Sequence, residues 1–176
     1  MSGGAYCPFS PEEPKARLDV CLAECKAKHV IAHSHTIDRF SNAVNLDCVI
    51  SSDSFSRYDH EQFQSIQIGL SSRSFATILF TSGSTGEPKG VAVTHQNVLH
   101  FIAWGRSRFV VTPADIFTNV SPMYFDNSVF DFYVGLFSGA SLFPVNRQVL
   151  SDPYALVSQA SDMNCTIWFS VPSLLI

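Results

Sequence analysis

Apolar positions along the chain fall into two rhythms, helical spacing and short unbroken runs. Leu18, Cys21, Leu22 and Cys25 recur three and four residues apart, which predicts an amphipathic helix from about Lys15 to Lys28 after the loop Pro8 to Pro14. Val30 to Ala32 reads as a short strand. Ser41 to Arg73 is polar and irregular, with one strand expected at Cys48 to Ile50. Phe75 to Phe80 is a compact apolar strand, and Val91 to Val93 is another. Thr94 suits a helix N-cap, with Asn97 three residues on, and the helix should run to about Arg108. The pattern then predicts a strand at Ile116 to Val120, a loop at Pro122 to Asp126, and a helix at Ser128 to Phe137 closed by Ser138-Gly139. A strand at Leu142 to Val145, a helix at Pro153 to Ser161 and a strand at Thr166 to Phe169 follow, and Pro172 opens a further element. Such alternation predicts an α/β fold, a largely parallel sheet flanked by helices.

Composition narrows the class. The 176 residues suit one ordinary domain with a real core, at 46% hydrophobic and 15% charged, with 15 phenylalanines. A net charge of −4 gives no reason to expect nucleic acid or an anionic membrane as partner. The richest apolar run, Val129 to Val145, is interrupted by Asp131, glycines and serines, so no stretch of about 18 apolar residues occurs. The first residues lack the basic start and apolar centre of a signal peptide, and the cytoplasm is the expected location.

The five cysteines suit reduced thiols. Cys21, Cys25, His29 and His33 sit at i, i+4 spacing with His35 close behind, which on one long helix would make a metal-ligand stripe. Val30-Ile31-Ala32 reads as a strand that breaks the stripe, so Cys21 and Cys25 are expected as small buried side chains and no metal site is assigned.

Between the strands at Phe75 and Val91 lies Thr81-Ser82-Gly83-Ser84-Thr85-Gly86-Glu87-Pro88-Lys89-Gly90. Glycines allow successive N–H groups to turn toward one anion, hydroxyls add donors, and Lys89 adds a full charge: the inventory for a polyphosphate. The spacing departs from G-x-x-x-x-G-K-[ST], and Pro88 argues against a helix starting inside the loop. A ligand-free glycine-rich hairpin is the alternative.

This segment resembles the signature of the adenylate-forming enzymes, Thr-Ser-Gly-Ser/Thr-Thr-Gly-x-Pro-Lys-Gly, at all nine specified positions. Thr94-His95-Gln96-Asn97 is similar to the family's continuation. Gly4-Ala5-Tyr6-Cys7-Pro8-Phe9 resembles the G-x-A-Y-L-P-L-D stretch of amino-acid adenylation domains, with Ser10 in place of the usual Asp. Phe125-Asp126-Asn127-Ser128 resembles the F-D-x-S motif of the same group, which includes nonribosomal peptide synthetases and D-alanine–carrier protein ligases. Trp168 to Ser173 is similar to the strand and Pro-Ser step that borders the substrate pocket.

The resemblance implies that an amino acid and ATP, with Mg2+, give aminoacyl-AMP and pyrophosphate, followed by transfer to a carrier-protein phosphopantetheine thiol. Thr81, Ser82, Gly83, Ser84, Thr85, Gly86 and Lys89 would hold the nucleotide phosphates, with Lys89 and Thr85 taking the catalytic roles. Asp126 would bind the substrate's ammonium group, beside Phe125, Phe130 and Ser170. Asp126 could instead cap a helix, and Phe130 and Ser170 could be ordinary packing. An ammonium about 4 Å from a carboxylate gains on the order of 4 kcal/mol at an effective dielectric of 20, less desolvation.

The resemblance further implies that residues 1–176 are a partial adenylation domain, truncated at both ends and without a C-terminal cap domain. The family's Tyr-Gly-Pro-Thr-Glu-like segment, ribose-binding aspartate and cap lysine do not occur. The chain alone is therefore expected not to make an acyl-adenylate at a normal rate. Two alternatives stay open: an acyl- or aryl-acid CoA ligase fragment, which a buried Asp126 facing an uncharged acyl chain disfavours, and a non-catalytic truncated product acting as a binding module.

Overall fold

The computed structural model describes residues 3–40, 46–52, 69–82 and 87–174. Helices and strands alternate, and the chain divides into two compact units, Met1–Ala92 and Val93–Ile176. Each is taken by itself.

In the first unit, α1 (Lys15–Glu24) buries Leu18, Cys21 and Leu22. It stops four residues short of the expected end. Lys26 turns into the left-handed region at φ 52, while Lys26 N–H reaches Ala23 O and Ala27 N–H reaches Leu22 O. That is a Schellman closure built on lysine, so no glycine marks it in the sequence. The Cys/His stripe breaks there: His29 opens β1 (His29–Ala32), whose alternate residues Val30 and Ala32 face the core. β1 pairs in parallel with β2 (Cys48–Ser51), Val30 opposite Val49. Leu18, Leu22, Val30 and Ala32 form the core, with Phe9, Ile37, Phe40 and Val49 packed against it. A 3-10 turn at Ile37–Phe40, absent from the sequence expectation, delivers two of these.

The apolar run after residue 74 is β3 (Phe75–Ser82), which hydrogen-bonds to β4 (Pro88–Thr94). A five-residue link is too short for a parallel crossover, so the two form a hairpin. Pro88 stands at the first position of its strand, where proline is tolerated. Tyr6 lies parallel to β3, its N–H donating to Ala76 O and its carbonyl accepting from Ile78 N–H.

In the second unit, α2 (His95–Phe109) starts as expected. The Thr94 hydroxyl accepts from Asn97 N–H, and the Asn97 side chain accepts from Thr94 N–H, a reciprocal capping box. Three parallel strands follow in the order β6-β5-β7: β5 (Ile116–Asn119) is central, between β6 (Ser141–Pro144) and β7 (Ile167–Trp168). A helical crossover leads from β5 to β6, and α4 (Pro153–Asp162) leads from β6 to β7.

The first crossover is not the regular helix expected over Ser128 to Phe137. It opens as α3 (Asn127–Val129) and widens into a π turn at Phe130–Gly135 before closing at Gly139. The π turn buries Phe130, Asp131, Val134 and Gly135. Phe117, Phe130, Val134 and Ala140 make the core of this unit. α2 closes on the π turn at Gly105, where a Cβ would lie 2.6 Å from Val134 Cγ2.

Candidate nucleotide and substrate site

The two groups of expected site residues fall in different units. Thr81 lies near the end of β3 and Lys89 near the start of β4, both exposed. Hairpin pairing sets them side by side: Thr81 Oγ1 donates to Lys89 O at 3.5 Å, the outer limit of a hydrogen bond. The Lys89 ammonium forms no ion pair among the described residues. Ser82 ends β3, and Gly83, Ser84, Thr85 and Gly86 lie outside the described residues, as does the Ser82 side chain. Gly90 is a close-approach position. A Cβ there would meet Ile78 Cγ2 and the Phe80 ring at 3.3 Å, so bare backbone lets those side chains cross it. A strand hydroxyl and an ammonium without an ion-pair partner among the described residues, on neighbouring strands, fit an anion such as a nucleotide phosphate.

The second group gathers at the carboxyl edge of the parallel sheet, where α/β folds commonly bind ligands. β5 ends at Asn119, and residues 120–126 lead to α3. Phe125 N–H donates to Pro122 O at 2.9 Å, and Ser128 Oγ donates to Phe125 O at 2.7 Å, so two turns shape the loop around Asp126. Asp126 occupies the N-cap position of α3, yet its side chain makes no cap hydrogen bond. Among the described residues its exposed carboxylate has no ion-pair partner either. The capping alternative therefore lacks its defining bond.

Phe125 is 57% exposed, whereas Phe130 is 3% exposed and wedged among other rings. Its centroid is 5.2 Å from that of Phe109, 5.6 Å from Phe117 and 4.9 Å from Phe169. Phe130 is thus a core residue whose ring also touches the segment leaving β7. There the Ser170 hydroxyl accepts from Trp168 Nε1 at 2.9 Å. Phe130 and the Trp168–Ser170 turn therefore come together through Phe169.

Asp131, absent from the expected set, carries the strongest electrostatic perturbation at this edge. It is fully buried in the π turn, and Asn119 Nδ2 donates to its Oδ2 at 3.3 Å. Its Oδ1 is buried with no hydrogen-bond partner among the described residues. Burial pushes the carboxyl up to about 7, against the opposite pull of the Asn119 bond. The sequence held one signal: an acid inside an otherwise apolar run.

Among the described residues no three His, Cys, Asp or Glu side chains gather to hold a metal ion, and no helix is long and apolar enough to cross a membrane. Cys7 lies with Cys21 and Cys25, and burial, followed by its neighbouring thiol Cys25, pushes its thiol up out of the reactive range.

The AMP-binding enzyme family matches residues 1–176. An L-proline–[L-prolyl-carrier protein] ligase of Pseudomonas fluorescens is 32% identical over 98% of the chain, and tyrocidine synthase 3 of Brevibacillus parabrevis is 29% identical over 98%. The chain spans 36% of the first protein's length and 3% of the second's. The solved nonribosomal peptide synthetase FmoA3, in its α-methyl-L-serine-AMP bound form, superposes with a TM-score of 0.78 at 31% identity over 99% of this chain and 19% of that one. With its whole length matched and its α/β architecture shared, this chain belongs to the AMP-binding enzyme family.

Proposed function

We propose that this chain is part of an amino-acid adenylation domain, in which an amino-acid carboxylate attacks the α-phosphorus of ATP to give aminoacyl-AMP and pyrophosphate. The β3–β4 hairpin would hold the departing diphosphate. Lys89 would neutralise its growing charge, Thr81 would add a hydroxyl donor, and residues 82–86, with Thr85 beside the reacting phosphate, would supply the rest. Mg2+ would enter with the nucleotide, bound to its phosphate oxygens. Asp126 would pair with the α-ammonium group, with Phe125, Phe130 and Ser170 near the side chain. The product would pass to a carrier-protein thiol.

The observation that carries this reading is Asp126, an exposed carboxylate that does not cap its helix and pairs with no cation among the described residues, in a chain of the AMP-binding family. An amino acid answers that charge, and a plain carboxylic acid does not. L-Proline, named in one relative, is the first amino acid to try.

Thermal denaturation with Mg·ATP tests the phosphate half. Ligand at about 100 times its Kd stabilises the native state by roughly 2.7 kcal/mol, so the melting temperature should rise by several degrees. Lys89→Ala should remove most of that rise. No rise at millimolar Mg·ATP, or an equal rise in the variant, contradicts the role given to the hairpin lysine.

A further inference from the structure

Asn119 and Asp131, twelve residues apart, meet at the base of the loop that carries Asp126. Asn119 is the last residue of the central strand, and Asp131 sits on the π turn that receives the chain after the loop. The hydrogen bond from Asn119 Nδ2 to Asp131 Oδ2, at 3.3 Å, therefore ties the two ends of the 120–126 loop together. Of the other bonds in this stretch, Phe125 N–H to Pro122 O and Ser128 Oγ to Phe125 O act within the turns, and Arg147 Nη2, which donates to Tyr124 Oη at 2.9 Å, ties the loop to the segment after β6 rather than to β5. The Asn119–Asp131 bond returns the loop to the strand it leaves.

An aliphatic side chain at this buried position would carry no desolvation cost. The carboxyl, fully buried with Oδ1 unpartnered among the described residues, is an expensive way to fill that volume. What it adds is direction, because an acceptor at Oδ2 holds the Asn119 amide in one orientation and closes the loop on one geometry. A carboxylate on an open loop would sweep a range of positions, whereas one on a closed loop can meet an ammonium at a fixed distance.

We propose that Asp131 is a positioning residue which, through Asn119, clamps the 120–126 loop and holds Asp126 in place for the substrate's ammonium group. This rests on the amine-recognising role proposed above for Asp126.

The test compares the unmodified chain with Asp131→Leu, which removes the acceptor, and Asp131→Asn, which keeps one for Asn119. Amide hydrogen exchange reads the clamp without any ligand. Exchange at Phe125 and Ser128 should accelerate about tenfold or more in D131L, and stay within about threefold in D131N. Calorimetric titration then reads its consequence. The probes are L-prolyl- and L-alanyl-sulfamoyl-adenosine, each beside its des-amino counterpart. The preference for the amine-bearing probe should fall about fivefold or more in D131L and persist in D131N. Unchanged exchange in D131L overturns the clamp. Faster exchange with an undiminished amine preference overturns its part in recognition and leaves Asp131 a purely structural acid. If the unmodified chain does not distinguish amine from des-amino probes, the reading of Asp126 fails, and the exchange data still decide the clamp.

Discussion

Replacing Asp131 with asparagine should shift the balance of stability toward the variant as pH rises. An ordinary aspartate titrates near 3.8, and the buried Asp131 carboxyl is pushed up to about 7. Below about pH 4 the group is protonated in both folded and unfolded chains, and it contributes no pH dependence. Between about 4 and 7 the unfolded chain releases the proton while the folded chain keeps it, so stability falls as pH rises. Above about 7 the whole penalty is present. At about 1.4 kcal/mol per pH unit, the interval from 3.8 to about 7 gives roughly 4 kcal/mol. Asparagine cannot titrate, although its buried amide carries a pH-independent cost of about 1–3 kcal/mol. The informative quantity is therefore the slope of the difference between variant and parent. Urea unfolding at pH 4, 5.5, 7 and 8, followed by tryptophan fluorescence, reports on the right unit, since Trp104 and Trp168 both lie in Val93–Ile176. The difference should move in favour of D131N by several kcal/mol from pH 4 to 8. A difference flat to within about 0.5 kcal/mol, or one moving toward the parent, refutes the picture of a neutral buried acid.

Three further outcomes follow from the same unit. Thr94→Ala removes half of the capping box and should cost about 1 kcal/mol in urea unfolding, with Thr94→Ser costing less. Gly105→Ala would normally favour a helix by about 1 kcal/mol, but its methyl would lie 2.6 Å and 2.9 Å from two carbons of the buried Val134, so a net loss of about 1–2 kcal/mol is expected. Recovery in the double variant with Val134→Ala would tie that loss to the clash. Asp115 accepts from the Thr112 backbone N–H and from the Thr166 and Thr112 hydroxyls, which lower its pKa below 3.8. Its contribution is thus present above that value and lost as pH falls through the lower folded one, so Asp115→Asn should destabilise at pH 7 and converge with the parent in strong acid.

The legible parts of the fold were those with local chemical punctuation. Thr94 with Asn97, Gly139 after the crossover, and Pro153 behind the Asp152 cap each mark a helix end in the residue types themselves. Every anticipated strand within the described residues exists, because short apolar runs need only pairing partners. The end of α1 was hidden, since a lysine takes the left-handed position there. The π turn was hidden too: one extra residue per turn leaves no mark in a run as apolar as Phe130–Gly135, and its close approaches, Val134 to Gly105 and Gly135 to Phe117, join residues far apart in the chain. At the candidate site, Lys89 and Asp126 could be named from their motifs. Asp131 showed only as an acid interrupting an apolar run, and its contact with Asn119 twelve residues earlier left no mark in the sequence.

Whether Asp126 reads an amine is decided by a single titration. Calorimetry of the chain with L-prolyl- and L-alanyl-sulfamoyl-adenosine and their des-amino counterparts, repeated on Asp126→Asn, isolates the carboxylate from the nucleotide contacts. The parent should bind at least one amine-bearing probe about tenfold or more tightly than its counterpart, and D126N should lose that margin while still binding both. Equal affinities in the parent, or a margin that survives in D126N, would contradict that role for Asp126.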